Sequence, residues 1–312
     1  MKPKLFIDGE HGTTGLQIRE RLAGRDDIEM LSLAMEDRRD DAKRKEMLAA
    51  CDVAILCLPD DAAREAVSMI EASGNDKCKI IDTSTAHRTA QGWAFGFAEL
   101  SKKQPDNIRN ATRISNPGCY STGAIALLKP LIKTGVMSAE NAVTINAVSG
   151  YTGGGKQLIA QMEDASVDNH IDTSFHLYAM GMQHKHVPEI MVRSGLKKRP
   201  LFMPSVGRFA QGMLVSIPLH LEQLSYASAD TVRGALEVHY DGCEFVTVAS
   251  KQEAGDTAQV RPEDFAGRDD MKLWVFANED AGHVNLIAQL DNLGKGASGA
   301  AVQNLNLALH QA

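Results

Sequence analysis

Apolar strand segments alternate with amphipathic helices as far as Ser115, a glycine-rich turn separates the first strand from the first helix, and strand segments dominate the remainder of the chain. Together these predict an α/β Rossmann-like parallel sheet, then an α+β domain with a mostly antiparallel sheet. Length agrees, because 312 residues at 44% hydrophobic content suggest two cores on a prior of ~150 residues per domain.

Lys4–Asp8 reads as a short buried strand and Leu16–Leu22 as a helix closed near Gly24. Between them runs Gly9-Glu-His-Gly12-Thr13-Thr14-Gly15. Glycines at G-x-x-G-x-x-G spacing let the backbone turn tightly, approach a pyrophosphate and offer amide N–H groups at a helix start. The turn also reads as an ordinary glycine-rich connection; its place in the first βα unit favours cofactor binding. Strands are expected next at Ile28–Leu33, Val53–Leu58, Lys79–Asp82 and Thr112–Ser115. A helix carries Ala63, Val67 and Ile70 on one face behind Asp60 and Asp61. The charged run Glu36–Glu46 could offer Arg38 or Arg39 to a 2′-phosphate, although such a run reads first as a solvated face.

Strands of the second half are expected at Ala142–Val148, Phe202–Val206, Met213–Leu221, Phe245–Ala249, Leu273–Asn278 and Val284–Leu290, with a helix over Ala229–Tyr240. A closing helical pattern, Ala297–Leu309, could return to the first domain. The expected division is residues 1–117 plus the C-terminal 293–312 as a nucleotide-binding domain, and 118–292 as a catalytic, substrate and oligomerisation domain.

Composition narrows the function. Thirty-three Lys plus Arg against forty Asp plus Glu leave a net charge of −7, which argues against nucleic acid or an anionic membrane as partner. No apolar run approaches the roughly 18 residues of a membrane span, and the first residues leave no room for a secretory leader, so a cytoplasmic location is expected. Five cysteines, at 51, 57, 78, 119 and 243, are odd in number and lack C-x-x-C spacing. Reduced thiols are expected, with neither a disulfide framework nor structural zinc.

Cys119 stands apart from the other four. In Asn116-Pro-Gly-Cys119-Tyr-Ser-Thr it follows a Pro-Gly turn and opens an amphipathic helix. There the dipole and unpaired amides stabilise a thiolate and could bind an oxyanion, while the alternative is an inert buried thiol at a cap. His184-Lys-His186-Val-Pro-Glu189 offers imidazoles for proton transfer. Two histidines at i, i+2 would share one side of a strand, which also admits a metal; no third ligand clusters nearby, so no metal is expected. Asp82-Thr-Ser-Thr-Ala-His-Arg88 follows the fourth strand, which puts Arg88 at the carboxyl ends of the sheet, where it could grip phosphate or stand as a surface residue. Ser149-Gly150-Tyr-Thr-Gly-Gly-Gly-Lys156 is a second glycine-rich turn, open to cofactor contact or to a plain turn.

These segments, with Asp291-Asn292-Leu-Gly-Lys-Gly-Ala-Ser-Gly-Ala-Ala-Val-Gln-Asn304, lie in an order that resembles the short form of the N-acetyl-gamma-glutamyl-phosphate reductases, within the aspartate-semialdehyde dehydrogenase-like superfamily. The resemblance spans nearly the whole chain. It implies NADPH-dependent reductive dephosphorylation of N-acetyl-gamma-glutamyl phosphate to N-acetyl-L-glutamate 5-semialdehyde through a cysteine thioester, in arginine biosynthesis. By position, Cys119 is then the nucleophile and His186 or His184 the acid/base. Arg88, Asn116, Glu189 and Arg208 would be substrate ligands. Gly9, Gly12, Thr13, Thr14, Gly15, Arg38, Ser149, Gly150 and Asn292 would hold NADP. A homo-oligomer, dimer or tetramer, is implied. Both glycine turns depart in sequence from those of the longer relatives. Alternative readings are an aspartate-semialdehyde dehydrogenase or another acyl-phosphate reductase and, from a different class, a non-catalytic NADP-sensing protein.

Overall fold

The computed structural model describes residues 1–225 and 228–309; residues 310–312 of the expected closing segment lie outside them. The chain divides into two compact units. One holds Met1–Ala98, Lys102–Pro117 and the chain from Ala297 onward, and the other holds Glu99–Ser101 and Gly118–Gly296.

The first unit begins β1 (Lys4–Asp8), α1 (Thr13–Leu22), β2 (Glu29–Leu31), α2 (Asp41–Ala50), β3 (Val53–Leu56), α3 (Asp60–Ser73) and β4 (Lys79–Asp82). It continues with β5 (Ala94–Phe95), α4 (Gln104–Asn110) and β6 (Arg113–Ser115). Its sheet runs β2-β1-β3-β4-β6-β5 with every pairing parallel, the Rossmann-like arrangement expected. Because strand side chains alternate between faces, one apolar run supplies two cores. Leu5, Ile7, Val53 and Ile55 pack with Ile18 of α1. Phe6, Ala54 and Leu56 pack with Leu48 of α2 and Ile70 of α3. α2 starts where the Asp40 side chain accepts the amides of Ala42 and Lys43, and α3 ends at Gly74, whose φ of 74° is left-handed. β2 is shorter than the Ile28–Leu33 expected, since only Lys4, Leu5 and Phe6 of β1 offer it partners. The two-residue β5 gives no periodic signal and was not expected from sequence.

The second unit comprises α5 (Cys119–Thr134), β7 (Thr144–Gly150), α6 (Gly155–Glu163), β8 (Phe175–Leu177), α7 (His186–Ser194), β9 (Leu201–Gly207) and β10 (Met213–His220). After these come α8 (Ala229–Tyr240), β11 (Val246–Val248), α9 (Lys251–Asp256), β12 (Met271–Asn278) and β13 (His283–Leu290). The sheet order is β11-β12-β13-β10-β7-β9-β8. Only β11 with β12 and β7 with β9 are parallel, so the sheet is mostly antiparallel, as expected. α5 lies on β10 and β13, and Gly123 permits that approach: a Cβ there would stand 2.8 Å from the Val215 side chain and 3.2 Å from Ala288.

A π-helical turn, Gly294–Ser298, then leads to α10 (Gly299–Leu309) in the first unit. Its Ala301, Leu305 and Ala308 join the core that contains Ile18, Ile108 and Ile114. Among the described residues no helix is long and apolar enough to cross a membrane.

Candidate active site

Cys119 is the first residue of α5, entered through Gly118 in extended conformation. The half-buried thiol therefore stands where helix amides have no carbonyl within the helix to reach. Glu189 of α7, 1% exposed, clamps this turn: its Oε1 accepts the Gly118 amide at 2.9 Å and its Oε2 accepts the Ser121 hydroxyl at 2.8 Å. Expected as a substrate ligand, Glu189 spends both oxygens on the cysteine helix. The turn containing Gly296 closes from another side, and a Cβ on that glycine would fall 2.8 Å from the Cβ of Cys119. Lys295, 1% exposed, anchors the turn through Glu99 at 2.8 Å, and the Asp291 carboxylate accepts the Leu293 amide at 3.0 Å.

The two histidines do not share a strand face, because His186 opens α7 and His184 precedes it. The cause is local: the His184 Nδ1 accepts the His186 amide at 3.1 Å, a side-chain cap that starts the helix there. Their rings still meet, with centroids 4.7 Å apart, and both border the Tyr120 ring at 5.9 and 5.8 Å. Tyr120 is fixed by its hydroxyl, which donates to the Ser205 carbonyl at 2.9 Å. With Nδ1 of His184 accepting, its neutral ring carries the proton on Nε2, 3.3 Å from the Tyr178 hydroxyl. Burial, and beyond it the charge of Cys119, pushes the Tyr178 hydroxyl above its usual range, so it keeps its proton. Tyr178 is a residue that sequence reasoning missed. It meets His184 because Ala179 and Met182 adopt left-handed φ values of 55° and 56°, and such conformations cost non-glycine residues of order 1–3 kcal/mol each.

Ser149, Gly150 and Asn292 come together in this same unit. The Asn292 side chain accepts the Gly212 amide at 2.9 Å and donates to the Thr152 hydroxyl at 3.0 Å. A Cβ on Gly153 would stand 3.2 Å from the Ser149 Oγ and 3.3 Å from the Asn292 Nδ2, and one on Gly150 would strike the Ala210 carbonyl at 2.4 Å. Arg208, a candidate for the substrate carboxylate, is engaged elsewhere. Its guanidinium donates to the carbonyls of Thr173, Met162 and Ile171 and straps the segment before β8.

In the first unit the glycine turn follows β1, where the strand order reverses between β2 and β3, the place where open α/β sheets bind ligands. A Cβ on Gly9, whose φ is 89°, would meet the Cys57 carbonyl at 2.3 Å, and one on Gly15 would meet the Gly9 carbonyl at 2.5 Å. Gly12 caps α1 without a side chain, which leaves the amides of Thr13, Thr14 and Gly15 at the helix start. The Thr13 Oγ1 is buried there with no hydrogen-bond partner. A cradle of excluded Cβ atoms, first-turn amides and an orphaned hydroxyl fits a dinucleotide pyrophosphate. Arg38 is exposed and donates to the Met35 carbonyl at 2.7 Å. Beneath the turn a buried pair that sequence did not signal, Arg44 with Asp8 at 3.0 Å, holds the end of β1 to α2.

Arg88 is buried rather than projecting. Its Nε donates to the Asn116 carbonyl and its Nη2 to the Thr83 carbonyl, both at 3.0 Å, which braces the chain just ahead of Cys119. The Asn116 side chain donates to the Ala297 carbonyl at 2.9 Å and accepts from Asn304 at 2.9 Å, so it ties β6 to α10. His87, unremarked in sequence, bonds Asp82 at 2.6 Å and stacks on Trp93 at 4.0 Å.

The family model described as semialdehyde dehydrogenase, dimerisation domain, matches residues 119–292. The fold is that of aspartate semialdehyde dehydrogenase II from Vibrio cholerae, with a TM-score of 0.75 at 16% identity over 99% of each chain. A Candida albicans aspartate semialdehyde dehydrogenase with NADP superposes with a TM-score of 0.68 at 13% identity over 98% of each. Fold, cysteine helix and family model define the semialdehyde dehydrogenase class. Within it, the N-acetyl-gamma-glutamyl-phosphate reductases of Rhizobium meliloti and Brucella ovis are each 56% identical to this chain over 310 residues, 99% of either sequence. The chain belongs to the N-acetyl-gamma-glutamyl-phosphate reductase family.

Proposed function

We propose that this chain catalyses the NADPH-dependent reductive dephosphorylation of N-acetyl-gamma-glutamyl phosphate to N-acetyl-L-glutamate 5-semialdehyde, in arginine biosynthesis. The observation that carries the reading is Cys119 at the first turn of α5, in a unit where His184, His186 and Tyr178 gather around Tyr120. The Cys119 sulfur attacks the acyl-phosphate carbonyl; the C–O bond to phosphate breaks and a thioester forms. First-turn amides of α5 face the oxygen on which charge develops. NADPH, when bound, supplies the hydride that reduces the thioester. The oxyanion so formed takes a proton from an imidazolium, and the resulting thiohemiacetal returns it to that imidazole as the C–S bond breaks, aldehyde leaves and the Cys119 thiolate is restored. His186 or His184 supplies that imidazole, their rings meeting with centroids 4.7 Å apart in the unit that holds Cys119.

Gly9, Gly12, Thr13, Thr14 and Gly15 hold the cofactor pyrophosphate, and Arg38 its 2′-phosphate; Ser149, Gly150 and Asn292 are further cofactor contacts. Arg88 and Asn116 shape the substrate site through the backbone they brace, and Glu189 does so through the helix it clamps. Oligomerisation through the second unit is consistent with the description of its family model and with Phe175 and Leu177, 53% and 46% exposed on the edge strand β8. Five reduced cysteines suit the cytoplasm.

The decisive assay runs the reaction backwards with NADP and phosphate. N-acetylglutamate semialdehyde is expected to be oxidised only when phosphate is present, with aspartate semialdehyde a poor substitute. Preference for the free-amine substrate would assign an aspartate-semialdehyde dehydrogenase, and NADP binding without turnover would assign a sensor.

A further inference from the structure

The mechanism leaves one pair of nucleophilic groups unused. Cys51 follows α2 and leads into β3; Cys78 leads into β4. The two strands pair in parallel with Val53 opposite Lys79, and the Lys79 amide continues the ladder to the Asp52 carbonyl at 2.9 Å. Carried one residue further, this register sets Cys78 opposite Asp52, the neighbour of Cys51, and the two sulfurs lie 3.6 Å apart. Cys51 is 2% and Cys78 1% exposed, packed among Leu48, Met69 and Ile70. Asn75 pins the covering turn: its Nδ2 donates to the carbonyls of Leu48 and Ala49, each at 3.2 Å, and of Cys51 at 2.8 Å. Gly74, Asp76 and Lys77 of that turn are exposed, so one thin, solvated turn separates the thiols from water.

We propose that Cys51 and Cys78 form a redox site that a two-electron oxidant of the peroxide class converts to an intradomain disulfide. Closing 3.6 Å to bonding distance needs about 1.5 Å of movement, taken up in the turn that carries exposed Gly74, Asp76 and Lys77. The roles of the sulfurs differ. The hydrogen bond between the sulfurs sets them apart, lowering the Cys78 thiol and raising the Cys51 thiol, which keeps its proton. Cys78 thiolate attacks the peroxide, forms a sulfenic acid and releases hydroxide, which takes up the proton Cys78 lost. Cys51 then attacks the sulfenic sulfur; the S–O bond breaks, its oxygen leaves with the Cys51 proton as water, and the disulfide forms. Two thiols and one peroxide thus give one disulfide and two waters. The bond would tie α2 to the turn before β4 and restrict the unfolded chain across residues 51–78.

The test exposes the folded full-length protein to millimolar hydrogen peroxide, removes the peroxide with catalase, blocks remaining thiols with N-ethylmaleimide in denaturant, and maps non-reduced peptides by mass. Expected is a peptide pair joined through Cys51 and Cys78, lighter by two hydrogens than its thiol forms and lost on dithiothreitol, with a thermal midpoint several degrees higher. Recovery of both cysteines as maleimide adducts while Cys119 is oxidised overturns the proposal. In Cys78→Ala, which removes the attacking sulfur, Cys51 should stay reduced under the same treatment; a Cys51 oxidised as fast as in the wild type would overturn the assigned order. The wild-type map stands without that variant should it fold poorly.

Discussion

At the scale of the residue, Cys119 is defined by what surrounds one turn of backbone: Glu189 on the Gly118 amide and the Ser121 hydroxyl, and Gly296 against its Cβ. Cys119→Ser should lower turnover at least about 10³-fold while NADP affinity changes less than about twofold, read by steady-state rates and by fluorescence titration of the nucleotide. A serine enzyme with near-normal turnover would end the thioester mechanism. Cys57 makes a different kind of prediction. Burial pushes its thiol from 9.0 up to about 12. Its pKa is raised on folding, so its contribution is complete below pH 9 and is lost as pH climbs toward 12, where the unfolded chain gives up the proton first. Across that window the folding equilibrium should fall about tenfold per pH unit on this account. Cys57→Ala should make the decline shallower by that one-proton contribution in urea titrations repeated at rising pH. Of these residues, Cys119 was legible because Pro-Gly before a helix is a local signal. Tyr178 was not, since its approach to His184 depends on left-handed Ala179 and Met182, residue types that advertise no such conformation.

The element that matters most is α5. Its start is clamped by Glu189, and its body is seated on β10 and β13 through Gly123. Glu189→Ala would leave a buried amide and hydroxyl without their acceptor. That costs about 1–3 kcal/mol, roughly 2–4 °C of thermal midpoint per kcal/mol in a protein of this size, and turnover should fall with it. Scanning calorimetry beside the rate assay checks both, and an unchanged midpoint would show that the clamp is dispensable. Gly15→Ala probes the other glycine turn. With 2.5 Å to the Gly9 carbonyl, the turn must open to admit the methyl, and NADP affinity should drop at least about tenfold in the same titration. Strands whose residues are buried on both faces, such as β3 and β4, were legible to within a residue or two. The histidine segment was misplaced onto a strand, because the His184 ring caps the following helix and alternation cannot show a cap.

For the whole molecule, the return of the chain end to the first unit carries the clearest consequence. α10 supplies Ala301, Leu305 and Ala308 to the core, Asn304 to the Gly96 carbonyl at 3.0 Å, and the Ala308 carbonyl to Lys79 at 2.9 Å. A chain truncated before Gly299 should lose the cooperative unfolding of the first unit and its nucleotide binding together, visible as a missing calorimetric transition. A truncated protein that binds NADP normally would contradict this. The alternation of strands and helices, the strand-rich second half and the Pro-Gly turn ahead of a helix are properties of the linear chain, and they marked the two-domain plan, the parallel and antiparallel sheets and the candidate nucleophile. Only tertiary structure decided what the polar side chains do. Glu189, Arg208 and Asn116 spend their hydrogen bonds on groups that lie far off in sequence. Hydrophobic periodicity is local and survives in one dimension, whereas a buried polar group takes whichever partner the fold brings within about 3 Å.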